Sequence, residues 1–386
     1  MSARFDFATA GRIIFGAGAV RELKNILPGM GSRPALVTGT GGANPERIIA
    51  LLREIGPFCE MIAVDGEPTL GRLQSALAHL RETGCDCVVA YGGGSVIDTG
   101  KALAALLANP GEALDYLEVV GKNQPLRQPS LPCVAVPTTA GTGSEVTRNA
   151  VVAVPEHKVK VSLRSAWMLP RAALVDPELT YSLPPEVTAS TGMDALTQVI
   201  EPFVSARANA MTDLYCREGI RRAARSLQAA YADGQNAAAR EDMAFTSLMG
   251  GLALANAGLG AVHGFASPVG GMFDAPHGAV CAALLPGAVT VNIRALEQRE
   301  PGHPALDRYR EIACILTSNE KAGLQEAPRV LAEMAAALRI PGLRAYGLGE
   351  ADIPEVVERA ADASSMKANP IRLTTEELTE ILERAM

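Results

Sequence analysis

Through its first half the chain alternates short apolar runs with segments of helical period. The runs at residues 12–15, 35–38, 60–64, 87–90, 134–137 and 173–176 predict strands. The segments at residues 20–26, 45–55, 70–83 and 96–107 predict amphipathic helices. Strands that alternate with helices imply a parallel sheet covered on both faces. Residues 151–154 and 158–163 read as a hairpin inserted before the last strand. From Pro184 the texture changes, and helical patterns interrupted by Gly and Pro run to the C-terminus. The pattern therefore predicts an α/β domain over residues 1–182 and an all-α domain over residues 183–386.

One helical segment stands apart. Residues 243–273 contain no Asp, Glu, Lys or Arg and are long enough to suggest a membrane span. Seven glycines, Asn256, His263 and Pro268 within it argue against that, because a bilayer leaves such groups unpartnered. A buried, closely packed helix pair is expected instead. Two of the chain's five histidines, His263 and His277, lie within this segment and at its exit.

Composition narrows the field. At 386 residues and 48% apolar the chain can bury a sizeable core. A net charge of −7 disfavours nucleic-acid binding, which needs a basic face. The N-terminus shows no apolar run of a signal peptide, and the seven cysteines form no CxxC pair. Reduced thiols and a cytoplasmic location, with no membrane partner, are the expectation.

The chemistry begins where the run ending at Ala90 meets the helix that follows. Gly92, Gly93, Gly94 and Ser95 let backbone N–H groups crowd one point, and the helix adds its positive end. Ser95 as N-cap with Asp98 three residues on would make a capping box. A tight turn needs fewer glycines than three, so a pyrophosphate site is favoured. The spacing differs from the GxGxxG of a first Rossmann turn. The loop after residue 137 carries Thr138, Thr139 and Thr142, whose hydroxyls suit a ribose or phosphate. Lys160, on the hairpin, is expected to be free to reach an anion.

In the second half, Asp194, Gln198 and Glu201 fall on one face of an otherwise apolar helix. A buried carboxylate there needs a cation or a metal. Sequence spacing alone does not bring His263 or His277 to it.

These segments together resemble the iron-containing, or group III, alcohol dehydrogenases over essentially the full chain. The resemblance rests on FGAGAV (15–20), YGGGSVIDTGKA (91–102), VPTTAGTGSEVT (136–147), VDPELT (175–180), STGMDALTQVIE (190–201) and NAGLGAVHGFASPVGGMFDAPHG (256–278). It implies an NAD- or NADP-dependent alcohol dehydrogenase or aldehyde reductase. The expected fold is an N-terminal dinucleotide-binding domain and a helical C-terminal domain, with a divalent metal (Fe2+ or Zn2+) in the cleft between them. It also implies a small alcohol or aldehyde as substrate, and a homo-oligomer such as a dimer. Asp194, His263 and His277 would be metal ligands. Gly92 to Ser95 would take the cofactor phosphates; Thr138, Thr139 and Thr142 would line the cofactor, and Lys160 would reach its ribose.

The chain departs from the family pattern at three positions. Gln198 stands where iron-binding relatives carry a fourth ligand, a histidine. Two histidines and a carboxylate still form a catalytic metal set, so Gln198 is a fourth contact or an orienting group. Ser267 stands where some relatives have a histidine in a proton relay, so proton exit through Ser267 and water is expected. Gly39 stands where NAD-preferring relatives often have an aspartate that repels a 2′-phosphate, which leaves NADP open. The alternatives are a lyase resembling dehydroquinate synthase and a metal-free reductase resembling maleylacetate reductase, although the latter lacks the aspartate present here.

Overall fold

The computed structural model describes residues 4–41, 44–56 and 58–386. It contains a six-stranded parallel sheet, a two-stranded hairpin and a long helical half, as the alternation predicts. The strands are β1 (Ile13–Phe15), β2 (Pro34–Gly39), β3 (Glu60–Val64), β4 (Cys87–Gly92), β5 (Cys133–Pro137), β6 (Asn149–Val154), β7 (Val159–Arg164) and β8 (Ala172–Val175). The sheet order is β1-β8-β5-β4-β2-β3, and β6 pairs with β7 antiparallel. Between them lie α1 (Leu23–Ile26), α2 (Glu46–Ile55), α3 (Leu70–Thr83), α4 (Gly94–Ala108) and α5 (Ala113–Tyr116).

Side-chain alternation along β2 and β4 explains why helices cover both faces. Ala35, Val37 and Val88 pack with Leu73, Leu77 and Leu80 of α3 and with the apolar side chains of α4. Leu36, Val89 and Tyr91 pack on the opposite face with Ile48, Leu51 and Leu52 of α2. Each fully buried Leu or Val contributes about 1.5–3 kcal/mol, so both faces must be covered for the sheet to persist. The edge strand β3 is only half buried on alternate residues. Helix α4 approaches β4 closely at Gly100, where a Cβ would lie 2.5 Å from that of Ala90.

The second half comprises α6 (Pro185–Val204), α7 (Ala210–Ala232), α8 (Ala237–Ala257), α9 (Ala261–Phe273), α10 (His277–Arg299), α11 (Pro304–Thr317), α12 (Glu326–Ala337), α13 (Ile353–Ala361) and α14 (Thr375–Arg384). Pro184 caps α6 and Pro185 occupies its first turn, where a missing N–H costs nothing. The uncharged segment is indeed two helices: α8 and α9 meet at a bend of 100°. By length and composition α10 is apolar enough to cross a membrane, but 78% of its most apolar window is buried within the protein.

The chain divides into two compact units. One holds residues 8–139 and 143–183; the other holds residues 4–7, 140–142 and 184–386. Residues 4–7 and 140–142 thus depart from the expected domain over 1–182. The Phe7 ring packs 5.8 Å from that of Tyr215, and the Gly141 carbonyl accepts from Gln198 Nε2 at 3.0 Å. The second of these contacts spans 57 residues and the first far more, and no local pattern announces them.

Candidate active site

In the α/β unit the glycine junction lies at the carboxyl end of β4, where ligands bind in open parallel sheets. Thr138 sits beside it at the end of β5, its N–H donating to the Gly92 carbonyl at 3.0 Å. Thr139 also lies here, with Cγ2 3.3 Å from where a Cβ on Gly93 would stand. At the end of the neighbouring β2, Gly39 has Val96 Cγ2 as its nearest neighbour, 3.5 Å from a built Cβ. The structure therefore gathers Gly39, Gly92 to Ser95, Thr138 and Thr139 along one rim. Thr142 groups with the helical unit instead.

Two expectations here need correction. Gly93, in an extended conformation, is the N-cap of α4, with no side-chain cap. The helix thus begins one residue before Ser95, and no Ser95–Asp98 capping box forms. Asp98 instead accepts from Val151 N–H at 2.8 Å and from the Ser144 hydroxyl. Lys160 is not free: its Nζ lies 2.6 Å from Glu67 Oε2, and its side chain is buried. A buried ammonium requires such a partner.

Sequence reasoning passed over Lys101. It is fully buried and its Nζ reaches Ser144 O at 2.9 Å, Ser144 Oγ at 2.8 Å, Thr147 Oγ1 at 2.8 Å and Asp98 Oδ1 at 3.0 Å. Four oxygens around one ammonium tie the loop at residues 144–147 to α4. Beside it, burial pushes the Glu145 carboxyl up to about 7, with Lys101 opposing. The unfolded carboxyl titrates near 4.5, so between 4.5 and 7 the unfolded chain ionises while the folded chain does not. Stability from this group therefore falls as pH rises through that window and levels off above it, by about 3 kcal/mol. The expected result is that Glu145→Gln removes this slope. Melting temperatures of the two proteins from pH 4.5 to 8 check it, and parallel curves would contradict it.

In the helical unit, Asp194, Gln198 and Glu201 form a buried stripe on α6. Helix α9 supplies His263 and α10 begins at His277. Gly278 allows α10 to start against α6, since a Cβ there would lie 2.7 Å from the Ser190 carbonyl oxygen. Asp194 Oδ1 lies 3.4 Å from His263 Nε2 and 3.8 Å from His277 Nε2. Cys281, one turn after His277, brings its Sγ to 3.8 Å from His263 Nε2 and 3.7 Å from His277 Nε2. Glu201 does more than pack. Its Oε2 lies 2.6 Å from His263 Nδ1 and its Oε1 accepts from Val262 N–H at 2.7 Å. This carboxylate caps α9 and holds a proton on Nδ1, so Nε2 is the nitrogen that would give up its proton to a metal.

The electrostatics favour positive charge at this point. Burial alone would lower both histidines, but Cys281 and Asp194 outweigh it and raise His277 to about 9. Burial likewise opposes, and Cys281, Asp194 and Glu201 overcome it, in holding His263 well above its ordinary value. Burial would raise Asp194, yet His277 and His263 hold it below the usual carboxylate range.

Among the described residues, Asp194 Oδ1 and Gln198 Oε1 are buried with no hydrogen-bond partner. Leaving such an acceptor unmatched costs about 1–3 kcal/mol, more for a charged one. Because Gln198 Nε2 donates to the Gly141 carbonyl, the amide orientation is set and Oε1 is the atom left over. A buried carboxylate oxygen without a hydrogen bond, 3.4 and 3.8 Å from two imidazole Nε2 atoms, fits a divalent cation.

Comparison with known proteins agrees. The family described as iron-containing alcohol dehydrogenase matches residues 10–177, and its C-terminal domain matches residues 188–386. The chain is 34% identical to 1,3-propanediol dehydrogenase of Citrobacter freundii, covering 99% of this chain and 98% of that one. It is 33% identical to alcohol dehydrogenase 4 of Schizosaccharomyces pombe, with coverages of 97% and 87%. Among solved structures, a 1,3-propanediol oxidoreductase superposes with a TM-score of 0.89 at 32% identity, covering 99% of this chain and 100% of the other. A sulfoacetaldehyde reductase from Bifidobacterium kashiwanohense, solved with NAD+, gives 0.86 at 27% identity, covering 100% and 99%. With both halves matched over nearly their whole length, the chain belongs to the iron-containing alcohol dehydrogenase family and is an oxidoreductase acting on CH–OH groups.

Proposed function

We propose that the enzyme interconverts a small primary alcohol and its aldehyde with a nicotinamide cofactor, using Fe2+ held by Asp194, His263 and His277. The observation that carries this is the buried, donorless Asp194 Oδ1 set against two imidazole Nε2 atoms. The bound ion supplies Lewis-acid stabilisation of the charge that develops on the substrate oxygen during hydride transfer. Asp194 contributes negative charge and one oxygen. His263 and His277 contribute neutral Nε2 atoms, and Glu201 keeps the His263 proton on Nδ1. Gln198 offers its leftover Oε1 as a further contact. Backbone N–H groups of Gly92 to Ser95 and the first turn of α4 bind the cofactor pyrophosphate. Thr138 and Thr139 line it, and Ser267, one turn beyond His263 on α9, passes the alcohol proton to water. Names of relatives that act on propanediol, hydroxybutyrate and sulfoacetaldehyde support a short substrate with a second polar group.

For the cofactor we propose that NADPH is accepted along with NADH. Gly39 places no carboxylate at the end of β2, and a Cβ there would meet only ordinary van der Waals contacts, the nearest Val96 Cγ2 at 3.5 Å. Gly39→Asp is expected to lower NADPH-linked kcat/KM roughly tenfold while sparing NADH, the effect of about 1.4 kcal/mol of like-charge repulsion.

The test is nicotinamide oxidation with short aldehydes by enzyme as purified, after exhaustive chelation and after anaerobic return of Fe2+. Loss on chelation and recovery on return are expected. Turnover unchanged by complete metal removal would overturn the metal role, and a steady state with no net cofactor oxidation would overturn the dehydrogenase.

A further inference from the structure

Cys281 lies against both imidazoles of the site, yet the three-residue ligand set leaves its sulfur without a chemical role. It is fully buried on α10, one turn from His277, and therefore on the same face. Its sulfur lies against His263 Nε2 and His277 Nε2, the atoms that face Asp194. At 3.7 and 3.8 Å these are long contacts for a weak S–H donor, so hydrogen bonding gives little reason for the placement.

Metal coordination gives a better one. Donor atoms that share one ion at about 2.0–2.3 Å stand roughly 3–4 Å from one another. The ligand atoms of Asp194, His263, His277 and Cys281 lie within 4.8 Å of one another, and the edges from Asp194 Oδ1 and Cys281 Sγ to the imidazoles are 3.4, 3.8, 3.8 and 3.7 Å. The remaining competitor for a fourth position is Gln198 Oε1, a neutral amide oxygen and a weaker donor than a thiolate. Asp194 and a Cys281 thiolate would also bring two negative charges against a divalent ion in a buried site, which an amide would not.

We infer that Cys281 is a fourth protein ligand, binding the metal through Sγ alongside Asp194, His263 and His277. The inference rests on the metal reading above. On binding, the S–H bond breaks, its proton goes to solvent and a metal–sulfur bond forms, with no change of oxidation state. The thiolate softens the donor set, and shifts its preference from magnesium- and calcium-like ions toward late transition metals.

Cobalt(II) is the probe, loaded anaerobically into the full-length, metal-stripped protein. The expected result is one cobalt per chain, a sulfur-to-cobalt charge-transfer band in the near ultraviolet, and X-ray absorption showing one sulfur at about 2.3 Å. Cys281→Ser is expected to lose the band and to bind cobalt roughly tenfold or more weakly. One cobalt per chain with only nitrogen and oxygen neighbours would overturn the sulfur ligand and leave the three-residue site standing. A band that survives in Cys281→Ser would overturn it too, by assigning the sulfur elsewhere. No cobalt bound to folded wild-type protein would overturn both readings. The X-ray absorption measurement on wild-type protein decides the matter even if the variant does not fold.

Discussion

Asp194→Asn is expected to purify with little metal and to reduce aldehydes at about a thousandth of the wild-type kcat/KM or less. The substitution keeps the shape of the side chain and removes its charge. The oxygen that stands against His263 and His277 then becomes a neutral amide acceptor, and the two imidazoles keep no anionic oxygen between them. Lewis-acid stabilisation of a developing alkoxide is worth several kcal/mol, and each 1.36 kcal/mol is tenfold in rate, which gives the thousandfold estimate. Metal content per chain and kcat/KM check it together. Cofactor binding, read by quenching of nicotinamide fluorescence, should be unchanged, because the glycine junction belongs to the other unit. A variant with full metal content and near-normal turnover would remove Asp194 from the site.

Glu201→Gln is expected to weaken metal binding by about 10–100-fold with the fold intact, the usual cost of losing a group that orients a ligand. In the wild type both carboxylate oxygens accept, one from Val262 N–H and one from His263 Nδ1–H. An amide has one acceptor and one donor. If its oxygen stays on Val262 N–H, its NH2 faces Nδ1 and drives the imidazole proton to Nε2, the atom a metal needs. If its oxygen turns to Nδ1, the N–H of Val262 meets a donor and the cap of α9 is lost. Either arrangement costs metal affinity. Competition with a chromogenic chelator measures the affinity, and 15N NMR of the imidazoles reports the tautomer. Unchanged affinity with His263 still protonated on Nδ1 would reduce Glu201 to a packing residue.

Much of the architecture is legible because it is local. Strand positions follow from short apolar runs, and the sheet's two covered faces follow from alternation such as Ala35 and Val37 against Leu36. The bend between α8 and α9 follows from glycines in a segment without charge. The glycine junction after β4 is legible for the same reason. What escapes is pairing over distance. Lys160 looks free in its own neighbourhood, yet Glu67, in the loop between β3 and α3, holds it. Lys101 is buried on α4 and bonded to a loop more than forty residues on. Ser95 has the chemistry of a cap, but Gly93 already takes the extended conformation that begins the helix, so the cap moves.

The site shows the same division. The i, i+4 spacing of Asp194 and Gln198 puts both on one face of α6, and the sequence shows it. The approach of His263 and His277 to Asp194 depends on where α9 and α10 sit against α6, which periodicity does not encode. Cys281 could have been flagged by one signal, its position one turn after His277 on an apolar helix. A cysteine on an apolar helix face is ordinarily a small core residue, which is why that spacing carries little weight without coordinates.

The central claim is that Asp194, His263 and His277 hold one divalent ion. Anomalous diffraction from crystals grown with Fe2+ under anaerobic conditions, collected on both sides of the iron edge, tests it most directly. The account predicts a single anomalous peak within bonding distance of Asp194 Oδ1 and the two Nε2 atoms. Iron that appears only elsewhere, or these three side chains turned away from one another, would contradict it.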